Sequence, residues 1–340
     1  MQRLTPLGKL AIVIAIVGSL FGGFKYLQSQ GIIGKDSASA QPHTEASSAQ
    51  PNTPEAESNA PSAQATTPDD SRPAFNYSPP PPVDGKLKGV VELGASGFNS
   101  FIIKVDAQKK WLLQKAEFGN SLVIENMASD DDIRAGLKKY IGGMLDYGVS
   151  GKDIHFVVSS GAAKAEVTTK ITKALKQLNY VVNQVTPEQE GTLGLKTVLP
   201  VDYESSAFVI DIGSGNTKIS WKEGGQLKAL ETYGAKYFQN NVDDQKVYDE
   251  VSAKIKQIPE NLRKTCFIIG GVPFELAKKD RKDKERYTVL QAPNAYQVDN
   301  AKSKAGLNIY KAVADASGCQ QFVFDWDANF TIGFLLNLPQ

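Results

Sequence analysis

Two short stretches of the chain place an acid just ahead of a run of small residues: "VVELGASGFNSFIIKV" at 90–105 and "FVIDIGSGNTKISWKE" at 208–223. Laid on each other, they set Glu92 on Asp211, Gly94 on Gly213 and Gly97 on Asn216. A tight turn of Gly, Ser, Asn and Thr exposes several backbone N–H groups in one direction, which makes a nest for an anionic oxygen. A carboxylate at the end of the preceding strand can hold a hydrated Mg²⁺ against a phosphate. Either turn alone is explained by a β-hairpin. Two in register, each behind an acid, could grip a phosphate chain from both sides of a cleft.

The surrounding pattern supplies the elements that would carry such turns. "KGVVELGASGFNSFIIKVD" and "WLLQKAEFG" read as successive strands, and "DDDIRAGLKKYIGGMLDYG" as a helix with an acidic start. "DIHFVVSS", "AEVTTKITKALKQL" and "YVVNQV" continue as strand, helix and strand. The order then restarts at "SSAFVIDIGSGNTKISWKEGGQLKALETYG", with "EGGQ" as a hairpin turn, followed by a helix in "DDQKVYDEVSAKIKQI" and a strand with a glycine turn in "CFIIGGVP". Two halves that open alike indicate an internal duplication within an α/β fold.

The N-terminal quarter has a different character. Residues 10–24, "LAIVIAIVGSLFGGF", carry no charge and follow Arg3 and Lys9. A spanning helix needs roughly 20 apolar residues, so the segment is read as a short transmembrane anchor over 10–27. A cleaved signal peptide competes, because "SASAQ" at 37–41 offers small residues, but a polar stretch with Lys25 and Lys35 separates it from the apolar run. The basic residues ahead of the anchor place 1–9 in the cytoplasm and the rest beyond the inner membrane. Residues 28–84, rich in Ala, Ser, Pro and Gln and ending in "SPPPPV", are expected to be a disordered linker.

Once these residues are in view, the chain resembles the exopolyphosphatase and guanosine pentaphosphate phosphohydrolase family, within the actin, sugar kinase and Hsp70 superfamily, over roughly 88–340. "ELGASGFN" is similar to its acid-LGSNSF motif, "FVVSSGAAKAE" to its VATSALREA segment, "VTPEQEG" at 185–191 to ISPEEEA, and "DIGSGNTK" to DIGGGSTE. All four occur in family order. "IIGGVP" looks like the adenosine motif of the superfamily, and "ANFTIGFLLNL" is similar to the family's closing helix.

The resemblance implies an α/β, two-lobe actin-like ATPase (ribonuclease H-like) fold, with lobe I over 85–203 and lobe II, including the C-terminal segment, over 204–340. It implies phosphoanhydride chemistry, with backbone amides and Mg²⁺ holding a phosphoryl group for a water oriented by a glutamate. That glutamate carries over to Glu190, with Glu188 nearby. Asp211 carries over as the second catalytic acid and, with Glu92, as a metal-side acid. Gly94, Ala95, Ser96 and Gly97 would form one phosphate cradle, and Gly213, Ser214, Gly215, Asn216 and Thr217 the other, with Lys164 as a cationic helper. Gly270 and Gly271 stand where a nucleotide would bind.

The departures bear on the same chemistry. The family's Arg after the first turn is Asn99, the Arg of the second segment falls on Ala163, and the Glu closing the last motif is Lys218. Losing one positioned charge-stabilising group costs on the order of 3 kcal/mol of barrier. The expected ligand is therefore phosphate, polyphosphate or a nucleotide, either hydrolysed or only held by a degenerate family member that senses a ligand or scaffolds at the envelope. Beyond the inner membrane ATP is not maintained, which favours inorganic polyphosphate. A protein partner of the envelope or a homodimer fits the second reading. An actin-like nucleotide-binding protein shares "DIGSGNTK" but fits poorly with a long tether.

Composition bounds the rest. With 340 residues, net charge +1, 41% hydrophobic and 22% charged residues, nothing points to nucleic acid. Two cysteines and two histidines are too few for a zinc site. The simplest reading of Cys266 is an inert buried thiol, of Asp325 and Asp327 a solvated strand end, of Lys218 an exposed strand residue, and of 278–286, "KKDRKDKER", a solvated face.

Overall fold

A computed structural model of the chain describes residues 75–94, 97–118, 130–163 and 166–339. The expected cytoplasmic N-terminus and anchor (1–27), most of the linker, and the site candidates Ala95, Ser96 and Lys164 lie outside the described residues. Among the described residues no helix is long and apolar enough to cross a membrane.

Strands β1 (Lys86–Gly94), β2 (Gly97–Val105) and β3 (Trp111–Phe118) form an antiparallel meander. Helix α1 (Asp130–Asp146) leads to β4 (Ile154–Val158), and α2 (Glu166–Gln177) to β5 (Val182–Gln184), both strands running parallel to β1. The sheet order is β3-β2-β1-β4-β5. Helix α3 (Pro187–Val198) then crosses to the second half. There β6 (Ala207–Ile212), β7 (Asn216–Glu223) and β8 (Gln226–Tyr233) repeat the meander, and α4 (Asp244–Ile255) precedes β9 (Thr265–Ile269), parallel to β6. Helix α5 (Gly271–Asp280), β10 (Tyr287–Val289), α6 (Ala301–Ser317), β11 (Gln321–Asp325) and α7 (Phe330–Asn337) complete the chain. The second sheet is ordered β10-β11-β9-β6-β7-β8, with β11 parallel to β9.

The duplication expected from the two turns is thus present as topology: three antiparallel strands, then parallel additions beside the first. Local chemistry explains the boundaries. In the "EGGQ" turn, Gly224 and Gly225 take φ of 57° and 78°, the left-handed pair that a two-residue hairpin requires. Asp243 caps α4 by accepting from the amides of Gln245 and Lys246. Strands β6 and β9 are near-continuous apolar runs because both of their faces are buried, one against α4 and α6 and the other against α3.

The core shows how the lobes are joined. One face of the first sheet packs Val91, Phe98 and Phe156 against Ile133 and Leu137 of α1 and Ile171 and Leu175 of α2. Its other face packs Val90, Phe101 and Ile103 against Phe330, Ile332 and Leu335 of α7. The C-terminal helix, assigned by sequence to lobe II, therefore completes the core of lobe I. Helix α3 serves both lobes: Leu193 joins the first core, while Leu195 and Val198 join Val209 and Phe267 in the second. A β-carbon at Gly333 would collide with the Leu193 carbonyl, so only glycine lets α7 cross α3 this closely.

The linker also needs correction at its end. Residues 75–80 alternate between half-buried and exposed positions, and the Phe75 ring lies 5.1–5.5 Å from Tyr203, Phe267 and Tyr287. Val83 donates its amide to Asp106 Oδ2 at 3.0 Å. Composition marks 28–84 as a tether, but two aromatic rings two residues apart are enough to dock its last ten residues.

Candidate functional site

The two turns meet. Gly94 from the first and Gly213, Ser214, Gly215 and Asn216 from the second line one interlobe cavity of about 530 Å³, together with Glu92, Glu190, Asp211 and Lys218. Gly94 pairs with Gly97 across the first turn, and Gly213 donates its amide to Asn216 O at 3.1 Å across the second. These equivalent positions confirm the superposition of the two motifs. Gly215 packs against Gly161, in the turn after β4; a β-carbon at Gly215 would lie 3.2 Å from Gly161 Cα. Thr217 is not part of this lining: it is fully buried, its hydroxyl oxygen has no hydrogen-bond partner, and the strand pleat sends it to the face opposite Asn216 and Lys218.

Glu190 owes its place to a helix start. Thr186 caps α3 with Gln189 in a reciprocal capping box and Pro187 opens the first turn. This turns Glu190 inward, at 3% exposure. Glu188 points to solvent, its carboxyl held below the usual range by its own backbone amide and the Thr186 hydroxyl. Glu190 Oε2 accepts from both the amide (2.9 Å) and the hydroxyl of Ser160, in the segment after β4. Its Oε1 accepts from the Lys218 ammonium, an ion pair with side chains only 4% and 3% exposed. Asn216 Nδ2 donates to Ser160 Oγ (3.1 Å) and Glu231 Oε1 (2.8 Å), so one network ties the Ser160 turn, α3, β7 and β8.

The two acids at the strand ends differ in their partners. Glu92 Oε2 accepts from Asn99 Nδ2 (2.9 Å) on the paired strand and from Asn329 Nδ2 (3.0 Å), just ahead of α7. Burial pushes the Glu92 carboxyl up to about 7, against the pull of Asn99 and with help from Glu190. Asp211 stands opposite Lys218 in register. Burial raises its carboxyl too, opposed by Lys218. For Lys218 burial disfavours the charge, but Asp211, Glu190 and Glu92 outweigh it and hold the amine above its usual value.

Lys218 therefore corrects one expectation: β7 is an inner strand covered on both faces, so no exposed face exists for it. It also decides how the donors suit Mg²⁺. Glu92 and Asp211 would have to share an ion with water and phosphate oxygens. Among the described residues, no group of three His, Cys, Asp or Glu is arranged to hold a metal ion. The cation already bonded within the carboxylate cluster is an ammonium, which offers no lone pair. The residues present do not fit the ion.

The other end of the cavity is aromatic. Phe274, in the first turn of α5, lies 5.3 Å from Trp326 and, across the lobes, 5.9 Å from Phe118. Gly270 and Gly271 line this end, and Gly270 takes φ 109° because a β-carbon would collide with the Ile212 carbonyl. Lys302 also lines it; half-buried, it makes no hydrogen bond or ion pair among the described residues. Asp325 is not a solvated acid: it is 1% exposed and takes two bonds of 3.1 Å from Arg286. The run 278–286 is accordingly only partly solvated, since Arg286 is mostly buried and Arg281 stacks on Trp326 at 3.8 Å. Cys266 and Cys319 are free thiols, and burial holds Cys266 well above its usual range.

Sequence reasoning thus found Glu92, Gly94, Glu190, Asp211, Gly213–Asn216, Gly270 and Gly271, and the fold brings them to one cavity. It missed Asn329, Ser160 as the partner of Glu190, and the aromatic end. Ser160 lies within the "FVVSSGAAKAE" motif, but nothing in its neighbours marks its contact.

No protein-family model matches the chain, and no curated protein matches it. Solved structures do. A Ppx/GppA family member of Aquifex aeolicus superposes with a TM-score of 0.57 at 17% identity, covering 74% of this chain and 96% of that one. A second structure, of the Aquifex aeolicus PPX-GPPA enzyme, gives 0.58 at 16%, covering 74% and 99%. An exopolyphosphatase-like protein gives 0.55 at 14%, covering 74% and 98%. At this identity the likeness speaks for fold, and by fold the chain is a divergent counterpart of the Ppx/GppA exopolyphosphatase structures.

Proposed function

We propose that the interlobe cleft binds a phosphate or polyphosphate anion and holds it without hydrolysis, so that the protein is a ligand-sensing or scaffolding member of the exopolyphosphatase type. The observation that carries this reading is the state of Glu190. A general base must have a free lone pair directed at a water. Glu190 accepts three hydrogen bonds, one on Oε1 from the Lys218 ammonium and two on Oε2 from the Ser160 amide and hydroxyl, which fill three of its roughly four lone-pair sites and set a cation beside the fourth. It acts as a cross-link between α3, β7 and the Ser160 turn.

The remaining features suit retention of an anion. Gly94 of the first turn and Gly213–Asn216 of the second line the cavity, Lys302 brings to it an amine with no hydrogen bond or ion pair among the described residues, and Glu92 can carry a proton near neutral pH, which lowers the repulsion an oligoanion would meet. On location, we propose that residues 10–27 anchor the chain in the inner membrane with the domain outside the cytoplasm; a reporter fused after residue 340 tests this through its activity on either side.

The decisive experiment is to incubate the purified protein with tripolyphosphate and Mg²⁺, following phosphate release and, by calorimetry, binding. Binding without release is expected. Release abolished by Glu190→Gln would instead establish a hydrolase.

A further inference from the structure

The position of Lys218 within the cleft goes further than the loss of a base. Its side chain runs past Gly191 of α3, where a β-carbon would stand 3.4 Å from Lys218 Cβ and 3.0 Å from Ala229 Cβ, so the stem is enclosed. Its ammonium bonds Glu190 and reaches the floor of the second cradle: a β-carbon at Gly213 would lie 3.5 Å from Nζ. Across the strand pair it faces Asp211. One fixed positive charge therefore bonds the glutamate, lies against the phosphate turn and acts electrostatically on the acid at the strand end.

We infer that Lys218 is the resident counter-cation of this cleft, taking the position that a divalent ion would need between Asp211 and Glu190, so that the anionic ligand is bound without a metal. This rests on the anion-binding reading above. A hard cation placed there would need oxygen ligands on several sides. It would meet instead an ammonium whose three hydrogens point outward and whose charge repels it. Glycine at 213 is part of the same device, because a side chain there would separate the turn from the ammonium. The equivalent position in the first motif, Asn99, is neutral and among the described residues its side chain bonds Glu92, so at this position the positive charge belongs to the second unit.

The test uses Mn²⁺ and tripolyphosphate as separate probes of the full-length protein. Mn²⁺ followed by electron paramagnetic resonance should find no site in the wild type tighter than about 1 mM. Lys218→Glu should create a site bound at least tenfold more tightly, and Lys218→Gln, which removes the charge but keeps a donor for Glu190, should shift Mn²⁺ binding the same way if the Glu variant does not fold. A tight Mn²⁺ site in the wild type that Asp211→Asn removes would overturn the inference. So would failure of the folded variants to gain one. Calorimetry with tripolyphosphate should give the same affinity within about twofold in Mg²⁺ and in EDTA, and a tenfold loss in EDTA would overturn the inference as well. If tripolyphosphate binds in neither condition, the anion-binding reading fails, and the Mn²⁺ titration still judges Lys218.

Discussion

The two strand–turn–strand units share an antiparallel pairing and differ in the residue that faces the acid. In lobe I Glu92 faces Asn99, and in lobe II Asp211 faces Lys218, at equivalent places in the register. Both acids are driven toward neutrality by burial. Lobe I answers with two amides, from Asn99 and Asn329, and the carboxyl rises to about 7. Lobe II answers with a buried ammonium, which keeps charge in the cleft and takes Glu190 into an ion pair. The duplication preserves where an acid is placed, and the residue across the strand pair decides what that acid can do.

The comparison is broken most severely by removing the two opposed residues in turn. Lys218→Ala leaves three carboxyls facing one another without their cation, and truncating one partner of a buried ion pair costs about 3–5 kcal/mol. Asn99→Ala removes one hydrogen bond to a carboxyl and should cost only about 1–2 kcal/mol. Urea unfolding of both variants gives the ratio, and equal losses would refute the claim that the lobes solve the same problem differently.

Protonation sharpens it. A carboxyl raised from 4.5 to about 7 favours the fold below its unfolded value and loses that contribution as pH rises through 7. Glu92→Gln keeps an acceptor for Asn99 and Asn329 and cannot ionise. It should therefore stabilise the protein by about 2–3 kcal/mol at pH 8 and by less than about 1 kcal/mol at pH 5. Thermal melts across this range check it; a gain independent of pH would mean that packing, not ionisation, is responsible.

What could be read beforehand follows from what local sequence encodes. Acid-then-glycine turns and the restart of the strand pattern are local signals, and their described residues stand where they are expected; the helix start at Thr186 and Pro187 is equally local but is not among the sequence expectations. Lys218 was misjudged as exposed because alternation along one strand cannot reveal that α3 covers its other face. Asn329 lies 237 positions from Glu92 in the chain and makes its bond only because α7 returns to lobe I. Thr217 was counted with the cradle because a motif lists consecutive residues, while a pleated strand shows every second one to a ligand.

The docked end of the linker has a mechanical meaning. Phe75 and Tyr77 sit against the second lobe, whereas Val83 is held by Asp106 of the first, so a few residues of backbone stitch the two halves together before the first strand begins. Any widening of the gap between them would draw on that stitch, and a pull transmitted along the preceding chain would reach the aromatic seat at Phe75 before it reached either sheet.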